Sequence, residues 1–388
     1  MCKFEEILLK KPLENIKVLD LSRFMAGPVC GKILADLGAD VIKIEPPWGD
    51  EMRYTLPLVK TSSPMFLDFN RGKRGVTLNL KTETGVKIFK ELVKDSDVVI
   101  ENFSVGTIDR LGIGYKVLRE INQRIILVSI TGFGQYGPRS SHHSFDMIGQ
   151  ATSGLMYLNG KEASEHLNKD IPPILLPDAM ADSVPGSYAA LGVLAALNYR
   201  NQTGVGQWVD IAQQDVMMYI SNSLVLYPAT GVTFLESMRK NLVGVYNIFQ
   251  AKDGYIAIAA PGGSTVDRLT ELLGVENVDD DVVREWINNR EMDEVIAELV
   301  KSDIPASPIF TLDDIIEDPQ VKAREMFLEV DHPEIGKMGL TGIPFKFSET
   351  PLRVESRAPT LGQDTETVLR KLGYSLDEIR KLRLNGVI

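Results

Sequence analysis

The chain reads as an α/β protein, a doubly wound parallel sheet followed by a smaller α+β region. Three observations carry that reading. From Val18 to Ile130, short apolar runs of strand length alternate with helix-period segments. Long helices built from small and apolar residues come next. From about Pro228 to His332 the character changes again, to a hairpin signal and short acidic helices. The 388 residues also exceed one ordinary domain of roughly 100–200.

Each element has its own signal. Residues 18–21 (VLDL) are short and apolar, as a buried strand should be. Residues 27–37 predict a helix with Val29, Ile33, Leu34 and Leu37 on one stripe. Residues 40–45 and 76–80 predict the second and third strands. A helix over 82–92 follows, with Ile88, Leu92 and Val93 apolar, and then strands at 98–100 and 125–130. Right-handed crossovers are expected between such parallel strands. Helices are predicted at 145–157 and 187–200. The second carries Ser187, Ala189, Ala190, Gly192, Ala195 and Ala196, small enough for another backbone to come close. A strand at 208–211 leads into a long apolar helix at 213–226, where Met217 and Met218 read as core. Strands at 246–250 and 255–259 flank an Asp253-Gly254 turn. Helices at 267–273 and 292–300 complete the smaller region. Helices at 364–372 and 375–384 close the chain, each with a capping residue at its start.

Composition narrows the function. The net charge is −11, without the basic excess of a nucleic-acid binder, and the acidity reads as solubility. No apolar run reaches the ~18 residues of a membrane span. The weakly polar stretch 186–199 is too short and rich in small residues. The N-terminus has acids before its short apolar run and lysines after it, unlike a signal peptide. Cys2 and Cys30 give neither a disulfide framework nor zinc spacing. A metal site would have to draw on His142, His143, His166 and His332 from distant segments, so none is expected. The expectation is a cytoplasmic protein with no metal, nucleic-acid or membrane partner.

Several segments carry candidate chemistry. The first strand–turn–helix–strand unit, with Glu45 at its end, has the layout of a dinucleotide site. Its turn reads AGPVCG rather than G-x-G-x-x-G, and Pro28 removes an amide donor, so a different ligand is expected. Arg53, Arg71, Lys73, Arg74, Arg110 and Arg139 recur on the loops. They are either an anion-binding edge or solvated surface charges. In PDAMADSVPG (177–186), Asp178 and Asp182 precede an apolar helix, with Pro185 placed for its first turn. Either carboxylate serves as a cap. The same geometry would also keep a carboxylate ionised at a helix N-terminus, ready to attack an acyl group. The residues alone favour the cap. Gly262 and Gly263 precede a helix, as a tight turn or as a loop that closes on a ligand.

Taken together, the chain from about Leu13 onward resembles the class III CoA-transferases, the CaiB/BaiF family. The resemblance rests on VLDLSRFMAGPVCGKILADLGADVIKIE with Gly49-Asp50-x-x-Arg53, then FNRGKRGVTLNLKTETG and the ENF at 101–103. It continues in FDMIGQATSGLM, in ADSVPGSYAALGVLAALNYRNQTGVGQ and in the closing APTLGQDTETVLRKLGYSLDEIRKLRLNGVI. It implies ring-shaped chains in an interlocked homodimer. A Rossmann-like large domain would comprise 1–225, with 331–388 returning to it, and 226–330 would form an inserted smaller α+β domain. Coenzyme A would lie over the large domain, with the active site where the domains meet.

The resemblance also assigns roles. Asp182 matches the nucleophile, and Asp178 does not. Asp182 would pass through an acyl anhydride and an aspartyl-CoA thioester while CoA moves from an acyl-CoA to an organic acid. Asp146 matches an acidic position beside the nucleophile, and Gly262-Gly263 a glycine-rich lid. Leu78, Asn102, Phe103 and Arg110 match CoA-lining positions, and Arg139, with His142 and His143 nearby, stands for the Arg or Lys found before the F-D pair; of the loop cations, Arg53, Lys73 and Arg74 are expected to join the CoA site. Backbone N–H groups at the helix start are expected to stabilise oxyanions. Met25 and Pro46 depart from the formyl-CoA transferase branch, which has Gln and Arg there. The rival α-methylacyl-CoA racemase branch has a His in a G-H-D triplet, replaced here by Ser144-Phe145-Asp146, with His143 two residues early. A catalytically weak partner subunit is the other alternative, and the retained Asp182 argues against it. Succinyl-CoA is a common donor in the family.

Overall fold

A computed structural model describes residues 11–332, 335–354 and 357–388. Cys2 and the reading of the N-terminus lie outside the described residues, as do the side chains of His166 and His332. The chain divides into two compact units. Met1–Ser221 with Glu325–Ile388 forms the first, and Asn222–Arg324 the second.

The first unit is built on six parallel strands: β1 (Lys17–Asp20), β2 (Asp40–Glu45), β3 (Arg74–Thr77), β4 (Val98–Glu101), β5 (Ile126–Thr131) and β6 (Trp208–Ala212). Their order is β3-β2-β1-β4-β5-β6. Chain direction across the sheet reverses between β1 and β4, which opens a crevice above their C-terminal ends. The strands read as near-continuous apolar runs because both faces are covered. On one face Val18, Val98 and Val128 meet Cys30 and Leu34 of α1 (Ala26–Asp36), together with Ala189 and Val193. On the other, Leu19, Val76 and Val99 meet Ile88 and Phe89 of helix Glu83–Val93 and Leu369 and Leu382 of the C-terminal helices. The returning tail is tied to β3: Gly75 N–H donates to Asp364 Oδ2 at 2.9 Å, and Thr77 N–H to Thr365 Oγ1 at 2.9 Å. Asp364 is therefore a strand anchor and makes no cap, whereas Ser375 caps its helix as expected.

Three helices bring the site together: α2 (Asp146–Thr152), α3 (Met180–Thr203) and α4 (Gln213–Tyr219). The helix expected over 145–157 is interrupted at Gly154, whose φ of 85° is left-handed. That expected from 187 begins at Met180, so Pro185 lies inside the helix beyond its first turn. By length and composition alone α3 is long and apolar enough to span a membrane, against the reading that no segment is. Its buried face lies on α1 and on β5 and β6. The helix expected over 213–226 ends at Tyr219, and Ser223–Thr230 starts a new one across the unit boundary.

In the second unit β7 (Val245–Gln250) and β8 (Tyr255–Ala260) form the expected antiparallel hairpin, extended by β9 (Ala306–Pro308). Val245, Phe249, Ile258, Leu269 and Leu299 form its core.

Candidate active site

Asp182 sits in the first turn of α3. The chain enters that helix through two left-handed residues, Asp178 (φ 63°) and Ala179 (φ 47°). Neither is glycine, so each holds a sparsely populated conformation. The first residue of α2 braces this corner. Asp146 Oδ1 accepts the Ala181 N–H at 2.7 Å, and Oδ2 accepts Gln150 Nε2 at 2.9 Å. Gln150 in turn exchanges hydrogen bonds with the Leu176 backbone, 3.0 Å each way. Gly149 permits the approach, since a Cβ there would stand 2.8 Å from the Ala181 Cβ.

The Asp182 carboxylate is held asymmetrically. Gln213 Nε2 donates to Oδ1 at 2.5 Å, and Oδ2 accepts no hydrogen bond among the described residues. Gln213 opens α4 and is itself oriented by Ser144, whose hydroxyl donates to Gln213 Oε1 at 2.6 Å. Burial, and after it the charge of Asp146, push the Asp182 carboxyl up to about 7, against the pull of the Gln213 hydrogen bond. This corrects the expectation that the helix start would keep it ionised. The donors meant to do so are committed elsewhere. Ala181 N–H goes to Asp146, while those of Asp182 and Ser183 both go to the Ala179 carbonyl at 3.0 Å. The same commitments remove these three groups as oxyanion donors.

Asp182 and Gln213 line a cleft of about 340 Å³ above β1, β4 and β5, at the sheet's switch point. Phe24, Met25, Asn102, Phe103, His142, His143 and Phe145 are also on its walls. Phe24 is left-handed (φ 61°) and meets Phe145 edge-on at 5.6 Å. A second cavity of about 330 Å³ is more apolar, with Trp48, Leu78, Pro46 and Leu111 around it and Lys81 at its edge. Arg23 and Phe103 line both cavities. The Arg23 guanidinium lies 5.7 Å from the centre of the Phe103 ring and 2.8 Å from Glu51.

The sequence-predicted residues divide into three groups. The first cleft holds Asp182, Asn102, Phe103 and His143, and the second Leu78 and Phe103. Asp146 stands behind Asp182 rather than in the cleft. Asn102 spends its amide on Arg23, accepting from its N–H (2.8 Å) and donating to its carbonyl (2.7 Å). Arg110 and Arg139 are exposed near the rim. Arg110 donates to Thr107 of the second cavity, and the Arg139 carbonyl accepts the N–H of His142. Gly262 and Gly263 belong to the second unit, where Gly263 (φ 57°) precedes helix Ser264–Leu273.

The third group requires correction. Lys73 is buried and Arg53 largely buried in ion pairs, and Arg74, part-exposed, stands at the end of the sheet opposite the cleft. Arg53 makes a fork to Glu45 (2.7 and 2.6 Å), Lys73 is buried on Asp20 (2.8 Å), and Arg74 pairs with Asp40 at the N-terminal end of β2. Arg71 likewise pairs with Asp36 and Asp68. These cations hold the framework, so the anion-binding-edge reading fails for them. Sequence reasoning missed Arg23, Ser144 and Gln213. Gln213 follows a strand end, where open sheets bind ligands, and that position was the available signal.

A family model described as CoA-transferase family III matches residues 13–365. The chain belongs to this family. It is 33% identical to the succinyl-CoA–L-malate CoA-transferase beta subunit of Chloroflexus aurantiacus, over 97% of this chain and 98% of that one. It is 34% identical to the formyl-CoA:oxalate CoA-transferase of Streptomyces avermitilis (98% and 100%). With the succinyl-CoA:glutarate CoA-transferase of Mus musculus the identity is 32% (97% and 90%). In structure it is similar to a CaiB/BaiF family protein from Brucella suis, with a TM-score of 0.80 at 33% identity over 94% of this chain and 100% of that one. It is also similar to Rv3272 from Mycobacterium tuberculosis, with a TM-score of 0.77 at 27% identity (92% and 99%). The protein is thus a family III CoA-transferase and takes CoA as part of its substrate.

Proposed function

We propose that this transferase moves CoA from succinyl-CoA to a small carboxylic acid, with Asp182 as the nucleophile. One observation carries the nucleophile: a buried carboxylate in the switch-point cleft has one oxygen held by Gln213 and the other unbonded. Asp182 Oδ2 attacks the thioester carbonyl and expels CoA thiolate, giving an aspartyl–acyl anhydride. The thiolate attacks the aspartyl carbonyl and releases the donor acid, leaving an aspartyl-CoA thioester. The acceptor carboxylate displaces CoA from it, and CoA then takes the new acyl group from the second anhydride. Thioester energy is conserved throughout, and the depth of the site limits hydrolysis.

The paired cavities support a CoA laid across Arg23 and Phe103, its adenine beside Trp48 and its thioester beside Asp182. The acid pair is not selected by overall identity, because relatives named for malate, oxalate and glutarate stand at 32–34%. Among the residues lining the Asp182 cleft, Arg23 is the one lysine or arginine, which supports a donor with a second carboxylate. We place the enzyme in an interlocked homodimer. Leu191, Tyr219 and Leu384 are 58%, 79% and 85% exposed in the single chain, as expected of surfaces that a partner covers.

The test is intact-protein and peptide mass spectrometry during turnover of succinyl-CoA with a panel of free acids. The Asp182 peptide should gain CoA, and the acceptor acid should leave as its CoA ester. CoA transfer without any adduct on Asp182 would remove the nucleophile assignment. A monomer appearing on dilution in light scattering would remove the interlocked dimer.

A further inference from the structure

We infer that Gln213 is a catalytic residue: its Nε2 stabilises the oxyanion that forms on Asp182 Oδ1 whenever the aspartyl carbonyl is itself attacked, and Ser144 positions it. The inference rests on Asp182 as the nucleophile and follows each of its two oxygens separately.

Oδ2 is the unbonded oxygen and makes the anhydride bond. When CoA thiolate attacks Asp182 Cγ, a C–S bond forms and the electron pair of the Cγ–Oδ1 double bond moves onto Oδ1. Collapse restores that double bond and breaks Cγ–Oδ2, so the donor acid departs with Oδ2. The acceptor carboxylate next attacks Cγ, Oδ1 takes the charge again, and CoA thiolate leaves. The acceptor oxygen is then the new Oδ2. Oδ1 therefore carries full negative charge twice in each turnover, and it is the oxygen that Gln213 contacts at 2.5 Å.

The surroundings leave this task to Gln213. The N–H groups of Ala181, Asp182 and Ser183 are committed to Asp146 and to the Ala179 carbonyl. The Gln213 amide is buried, its Nε2 faces Asp182 because an ionised carboxylate only accepts, and the Ser144 hydroxyl holds the other end by donating to Oε1 at 2.6 Å. A reversed amide would set Oε1 against the Asp182 carboxylate, two acceptors with no proton between them. A donor already in place needs no reorganisation as charge develops, which is how a single oxyanion donor comes to be worth about 10²–10³ in rate.

The experiment separates the first anhydride from the aspartyl-CoA thioester. Full-length enzyme is mixed with whichever of succinyl-, glutaryl-, formyl- and acetyl-CoA wild type turns over fastest, without acceptor acid. Asp146, His142, His143 and Arg23 stand around Asp182, so the pH is kept well above 7 to hold the nucleophile ionised in every variant. Hydroxylamine traps the acyl anhydride as a hydroxamate, and peptide mass reads CoA on Asp182.

Wild type should gain CoA on Asp182. Gln213→Leu and the isosteric Gln213→Glu should form this adduct about 10²–10³-fold more slowly while the anhydride still forms at close to the wild-type rate. Ser144→Ala should fall between, and Ser144→Thr should restore the rate. Adduct formation at the wild-type rate in both Gln213 variants overturns the inference and leaves Asp182 as the nucleophile. Equal slowing of anhydride and adduct also overturns it, because that is the mark of a disturbed site. No CoA on Asp182 in wild type is the separate failure of the nucleophile reading.

Discussion

Around β1 to β3 lie three acids at least as buried as Asp182, and each meets a cation. Asp20 faces Lys73 at 2.8 Å, Asp50 faces Lys43 at 2.8 Å, and Glu45 is forked by Arg53. Burial alone would raise Asp20, but Lys73 and then Lys43 overturn it and hold the carboxyl below its ordinary range. Burial would likewise lower Lys43, and Asp50 and then Asp20 raise it instead. Asp182 receives no such compensation. A neutral amide and another acid are its partners, and its carboxyl rises to about 7. The same depth therefore produces ion-paired carboxylates that brace the framework in one place and a carboxylate without a cation in the other. The framework serves the site: Asp50 Oδ1 accepts the N–H of Phe24 at 3.3 Å, and Lys43 donates to the Ser22 carbonyl at 2.5 Å. Both bonds hold the loop that walls the cleft.

The largest way to break this contrast is Asp182→Asn, which should lower transfer about 10³-fold or more with the fold intact. Its effect on stability has a definite sign. The folded value of about 7 exceeds the ordinary 3.8, so wild type loses stability as pH rises between them, and Asn does not. Melting of the variant should match wild type near pH 4 and exceed it above pH 7. A variant that melts lower than wild type above pH 7 would refute the idea that Asp182 is uncompensated.

On the framework side, Lys43→Met leaves Asp50 buried without its cation and should cost about 3–5 kcal/mol in urea unfolding. Adding Asp50→Leu should recover much of that loss. A single variant as stable as wild type would show the pair to be dispensable.

A smaller change sharpens the acid–acid coupling. Asp146→Asn removes the charge that helps raise Asp182, so the acid limb of kcat/KM should move below 7. Asn can still accept the Ala181 N–H, and the disturbed bond to Gln150 should cost roughly 1 kcal/mol. An unmoved or rising limb would mean that burial alone sets the value. Asp178→Asn should have the smallest effect, within about twofold in activity, since Asn tolerates the left-handed φ of 63°. Loss of transfer in that variant would point to the wrong aspartate.

Legibility in the sequence followed the range of each interaction. The expected strand at 40–45 is β2 to the residue, because apolar runs and their flanking turns are local signals. The third strand begins at Arg74, earlier than expected, because its polar first residue is held by Asp40 across the sheet. The cation Lys73 read as a ligand contact because its partner is remote, and Arg53 because nothing in its sequence shows the fold that turns it back onto Glu45. Lys73 meets Asp20 53 residues away, and Arg53 also reaches the Pro359 carbonyl 306 residues away. Gln213 carried no charge and no motif, only a position after a strand end, and its meeting with residues 144 and 182 is what points to a role.

By itself the sequence determined the parallel α/β architecture, the hairpin of the second unit and, through its ordered motifs, the family and its candidate nucleophile. Hydrophobic periodicity and motif order survive in one dimension. Tertiary structure decided which charges are neutralised and which carboxylates, Asp182 and Glu101 among them, are left without a cation, because burial and pairing exist only after distant segments meet. The PDAMADSVPG segment shows the division. Its residues allow either a cap or a nucleophile, and the neighbours that hold it, Asp146 36 residues before Asp182 and Gln213 31 after it, come from other elements of the fold.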